Sequence, residues 1–115
     1  MSHSPEVWLW DALSAAKAIE KFIGSASAEE FTSDDYMMSA VERKFEIIGE
    51  ALNNYSKSDA VGAAGLVALP EIVGFRNKIA HGYRQLDPAR VFQIAKTKLP
   101  HLKAQLEAAL VGKGP

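Results

Sequence analysis

The apolar residues of this chain recur at spacings of three and four almost from end to end, and that period limits what it can fold into. Trp8, Ala12, Ala15, Ile19 and Phe22 make one stripe, and Met37, Met38, Val41, Phe45, Ile48 and Leu52 a second. Ile72, Val73, Phe75 and Ile79 make a third, and Val91, Phe92, Ile94, Ala95, Leu99, Leu102, Leu106 and Leu110 a fourth. Residues three and four apart share one face of an α-helix. No stretch alternates apolar and polar residues, and no Asn-Gly or Asp-Gly pair marks a hairpin. The expected fold is all-α, an up-down bundle of four to five helices.

Punctuation sets the helix boundaries. Ser4-Pro5-Glu6 supplies a cap, a proline suited to the first helical position and an acid in the first turn, and Gly24 ends that helix after Ile23. Residues 25–31 read as a connector with room for a short turn. Ser33-Asp34-Asp35 caps the second helix, which fades between Tyr55 and Lys57. Gly49 inside it costs about 1 kcal/mol relative to Ala, so a close helix–helix contact is expected there. Ser58 to Leu69, with Gly62 and Gly65, reads as a loop with at most a weak helical turn. Pro70 opens the third helix and Gly82 suits its end, while Asp87-Pro88 starts the last one. Pro100 lacks an N–H and predicts a kink near Lys96. Residues 112–115 form a frayed tail.

With 115 residues the chain is read as one domain spanning 1–115. It has no cysteine, which excludes a disulfide framework, a thiol nucleophile and a cysteine-based zinc site, and suits the cytoplasm. His3, His81 and His101 show no metal spacing, so neither a metal nor a cofactor is expected. No apolar run reaches the length of a membrane span, and the first residues do not resemble a signal peptide.

Charge is divided along the chain. The net charge is −1, yet residues 1–75 sum to −7 and residues 76–115 to +6. Arg76, Lys78, Arg84, Arg90, Lys96, Lys98 and Lys103 contribute to the basic part. Such a segment suits a phosphate polymer. The plainer alternative is that opposite halves of the bundle neutralise each other.

Within the basic part, Gly74-Phe75-Arg76-Asn77-Lys78-Ile79-Ala80-His81-Gly82-Tyr83 places an arginine, an amide, an imidazole and a phenol close together. At about 100° per residue, Arg76, Asn77 and His81 share one sector and Ile72, Phe75 and Ile79 another. Asn77 and His81, four apart, are placed so that their side chains can touch. Arginine can hold a phosphate bidentately and stabilise charge developing on it. Histidine titrates near neutrality and serves as base or acid. The pattern fits RNA cleavage by its own 2′-hydroxyl, although the same spacing also occurs in helices that merely present a histidine to the helix dipole. Upstream, Glu50 needs a partner if it faces the bundle, with Arg76 the natural candidate, and is otherwise a solvated carboxylate.

The segment Ile72 to Tyr83, with Arg76, His81 and Tyr83 in an R-x-x-x-x-H-x-Y arrangement, resembles the HEPN superfamily and within it the HepT-like toxins. Ile48-Gly49-Glu50-Ala51, Pro70, Asp87-Pro88 and Leu99-Pro100-x-Leu102 resemble the same family in the same order. The resemblance implies an endoribonuclease toxin acting without metal. Arg76 and His81 would bind phosphate and move protons, and Asn77 would orient one of them. Arg84 and Glu50 are further candidates for binding or orienting substrate. The resemblance also implies a nucleotidyltransferase antitoxin of the MntA-like kind that attaches AMP to Tyr83. A homodimer is expected, with both motifs at one cleft, and Trp8, Trp10 and Phe31 add apolar surface to the case for it. A non-catalytic nucleotide- or substrate-binding partner of a nucleotidyltransferase is the alternative, and an interaction module without a small-molecule site is the third reading.

Overall fold

The computed structural model describes residues 4–82 and 86–113. Among them the chain forms seven helices and no strand: α1 (Pro5–Ile23), α2 (Ala28–Ser33), α3 (Asp35–Ser58), α4 (Ala60–Ala64), α5 (Leu69–Ala80), α6 (Pro88–Thr97) and α7 (Leu99–Ala109). The four expected stripes correspond to α1, α3, α5 and the α6–α7 pair. Their inward faces meet in one core, in which Ile19, Phe45, Ile48, Leu52, Ile72, Ile94, Leu99, Leu102 and Leu106 are fully enclosed.

Local chemistry explains most boundaries. Pro5 stands in the first turn of α1, and Gly24 closes that helix at φ 54°. The Asp34 side chain accepts from the Met37 N–H at 3.0 Å and starts α3. The Asp87 side chain accepts from the Ala89 N–H at 3.1 Å and starts α6. Residues 25–31, expected to connect, instead contain most of α2. There the Ser27 and Glu30 side chains each bond the other's backbone N–H, a reciprocal cap that satisfies two otherwise orphaned donors. The expected loop before Pro70 holds α4, capped by Asp59.

Three further expectations are corrected. The kink near Lys96 is a break at Lys98, and Pro100 sits in the first turn of α7, where its missing N–H costs nothing. The third helix starts at Leu69, one residue before Pro70, with Ala68 in the left-handed region at φ 61°. Gln105 on α7 holds that entry, accepting from the Val67 N–H at 2.8 Å and donating to the Gly65 carbonyl at 2.7 Å. Phe31 belongs to the single core, fully enclosed and 5.4 Å from the Phe92 ring, so it leaves no surplus for a partner to cover. Trp8 and Trp10 remain half-buried.

Candidate functional site

The site is built on the pairing of α3 with α5. Phe75 packs its ring edge-on against Phe45, centroids 5.6 Å apart, and Ile72 is fully enclosed beside it. One turn further along α3, Gly49 is buried against α5. A Cβ at Gly49 would stand 2.7 Å from the Arg76 Cβ and 2.9 Å from the Ile72 carbonyl oxygen. Only glycine permits this approach, which is the close contact expected from its place inside a helix.

That contact holds the stem of Arg76 against α3 while its head reaches the surface. The guanidinium Nη1 donates to the Asn77 Oδ1 at 3.3 Å. Arg76 is half-buried, and Asn77, Lys78 and His81 are exposed. His81 is the residue that ends α5, its N–H donating to the Asn77 carbonyl at 3.0 Å. Gly82 follows at φ 83°, a backbone state that glycine adopts without strain, and its N–H donates to the Ile79 carbonyl at 3.1 Å. The histidine therefore lies at the C-terminal end of the helix, beside its last carbonyls. No hydrogen bond joins the Asn77 and His81 side chains. Asn77 bonds to Arg76 instead, and its link to His81 runs through the backbone.

Glu50 takes the solvated alternative. One residue beyond Gly49 is about 100° around the helix axis, which turns Glu50 away from α5. It is exposed and makes no ion pair with Arg76. It lines an open pocket of about 220 Å³ between α1 and α3, with Trp8, Asp11, Ile47, Ala51 and Asn54. Tyr83 and Arg84 lie outside the described residues.

The basic segment divides sharply. Arg90 and Lys98 both bond to Glu71, Lys98 at 2.8 Å, and Lys103 pairs with Glu20 at 2.8 Å. Lys113 pairs with Glu6 at 3.5 Å. Each of these carboxylates comes from the acidic part of the chain, so neutralisation between halves accounts for these four cations. Lys98, then Arg90, hold the Glu71 carboxyl below its ordinary range. Arg76 and Lys78 on α5 and Lys96 on α6 have no carboxylate partner among the described residues. Those residues also hold no cluster of His, Cys, Asp or Glu that could bind a metal.

Two supporting residues escaped the sequence reading. Glu42 accepts from the Leu86 N–H at 3.2 Å and ties the chain after the motif back to α3. Its signal was available, because Glu42 lies seven residues before Gly49 on the same helical stripe. Glu71 gave no local signal: its partners are 19 and 27 residues away.

The "Ribonuclease HepT-like" family model matches residues 12–109. "Putative RNase MJ1380" of Methanocaldococcus jannaschii is 31% identical over 102 residues, covering 89% of this chain and 93% of that protein. "Probable ribonuclease HepT" of Thermococcus cleftensis is 31% identical over 107 residues, covering 93% of this chain and 96% of that protein. No solved structure matches. The chain belongs to the HepT-like ribonuclease family, and its all-α architecture is consistent with a HEPN-like fold.

Proposed function

We propose that this protein is a metal-independent endoribonuclease, the toxin of a toxin–antitoxin pair. The observation that carries this reading is the C-terminal end of α5. There Arg76 is braced by Gly49 and Asn77 and has no carboxylate partner among the described residues, and an exposed His81 stands at the helix terminus. In the proposed reaction the RNA 2′-oxygen attacks the adjacent phosphorus. The new O–P bond replaces the bond to the 5′-oxygen, giving a 2′,3′-cyclic phosphate and a 5′-hydroxyl. A base removes the 2′-hydroxyl proton and an acid protonates the leaving oxygen, and His81 performs one of these transfers. Arg76 stabilises the charge that grows on the phosphate. Two copies meeting at their α5 ends would bring two histidines together, one for each transfer, which is the chemical argument for a homodimer with a shared cleft.

Control is assigned to Tyr83. A partner nucleotidyltransferase of the MntA-like kind would transfer AMP from ATP to its hydroxyl, releasing pyrophosphate. The added bulk and negative charge would oppose RNA phosphate next to Arg76 and His81.

The test is labelled RNA with purified protein in EDTA. Wild type is expected to cut it, and His81→Ala to lose about a hundredfold or more in rate with little change in RNA affinity. Incubation with ATP, magnesium and the partner enzyme should add one AMP mass to wild type and none to Tyr83→Phe. Uncut RNA together with no mass shift would favour a non-catalytic nucleotide- or substrate-binding partner of a nucleotidyltransferase.

A further inference from the structure

A basic segment that binds RNA along its whole length should leave its cations open to phosphate. Among the described residues, Arg76, Lys78 and Lys96 have no carboxylate partner, whereas Arg90, Lys98, Lys103 and Lys113 are each paired. Glu71, in the first turn of α5, bonds to Arg90 at the start of α6 and to Lys98 at the α6–α7 break. A single carboxylate thus occupies two cations from two different helices. Glu20 on α1 occupies Lys103 on α7 in the same way. Glu71 precedes Arg76 by five residues, about 7.5 Å along the helix and roughly 140° around it. The paired cations therefore border a different face of α5 from the one that carries Arg76.

We propose that Glu71 is a charge mask that keeps RNA phosphate off the Arg90–Lys98 face and so favours its binding at the C-terminal end of α5. This rests on the ribonuclease reading. Without the mask, Arg90 and Lys98 would form a second phosphate site away from His81, and RNA held there would be positioned unproductively. Glu20 extends the same effect to Lys103. The carboxyl of Glu71 is held below its ordinary range by its two partners, so it remains ionised, and the mask in place, throughout the neutral range. A role in packing alone gives the opposite expectation for its removal: a loosened α5 would bind RNA more weakly.

The experiment compares wild type, Glu71→Gln and Glu20→Gln, using a 2′-O-methyl RNA oligonucleotide that cannot be cut and, separately, a cleavable RNA. Glu29→Gln is the control, because it removes the same single charge from an exposed α2 position that has no cation partner among the described residues. Affinity of Glu71→Gln for the uncut RNA should rise about threefold to tenfold at low salt, and its salt dependence should steepen by one to two counterions. The turnover number should stay the same or fall. Glu20→Gln should move affinity in the same direction by a smaller factor, and it carries the test if Glu71→Gln does not fold. Glu29→Gln should change neither slope nor turnover. Unchanged or weaker affinity in the folded variants, with wild type still cutting RNA, would overturn the mask and leave the nuclease reading intact. An equal gain in Glu29→Gln would reduce the effect to net charge and overturn it too. Wild type that binds no RNA would sink both.

Discussion

The two ends of α5 are built on opposite principles. At the start, Glu71 is tied to Arg90 and Lys98, and Gln105 holds the preceding Val67 and Gly65. At the finish, Arg76 has only the neutral Asn77, and the His81 side chain has no hydrogen-bond partner among the described residues. Between them Ile72 and Phe75 bury the helix against α3. One end is anchored by side chains that satisfy each other, and the other leaves most of its hydrogen-bonding capacity unused among the described residues. A cation already paired with a carboxylate is a poor phosphate site, so the distribution of partners supports the proposed site at the end of α5 more strongly than the distribution of charge does.

The largest test of this division removes the anchor common to both ends. Phe75→Ala deletes a buried ring and its edge-on contact with Phe45. It should cost about 3–5 kcal/mol in denaturant unfolding. A loss under 1 kcal/mol would mean that α5 is not held by this contact.

Next is the brace of the open end. Gly49→Ala would gain about 1 kcal/mol of helix propensity. Against this, the new methyl meets the Arg76 Cβ and the Ile72 carbonyl at distances that force α5 outwards. Overpacking typically costs about 1–3 kcal/mol, so a net loss is expected. A weaker affinity for RNA should accompany it as Arg76 is displaced. A more stable variant with unaltered affinity would show that the close approach does not set the position of Arg76.

The smallest effect concerns the anchored end. The folded Glu71 carboxyl titrates below the ordinary carboxylate value, held there by Lys98 and then by Arg90. Its ion pairs therefore add stability that is fully present above that value and is lost as pH falls through the lower folded value. Arg90 and Lys98 are about 40% exposed, so the contribution is a few tenths of a kcal/mol to about 1 kcal/mol. Glu71→Gln should flatten the acid side of a stability–pH curve measured by chemical unfolding. Parallel curves for the two proteins would remove the pair from the account of how α5 is anchored.

The sequence determined what depends on neighbours within about one helical turn. The stripes, the caps at Asp34 and Asp87, the glycine ends at Gly24 and Gly82, and the grouping of Arg76, Asn77 and His81 on one helix all follow from local spacing, and the structure repeats them. Local reasoning failed where a short cap could nucleate a helix with few apolar residues, as Ser27 and Glu30 do for α2. It also left Glu50 undecided, because a helix face cannot be assigned to solvent before its neighbours are placed. Gly49 pointed to a close approach but not to Arg76 as the residue approached. The pairing of cations was legible least of all. Its partners lie between 19 and 107 residues apart, at separations where only the packing of the helices brings opposite charges within bonding distance.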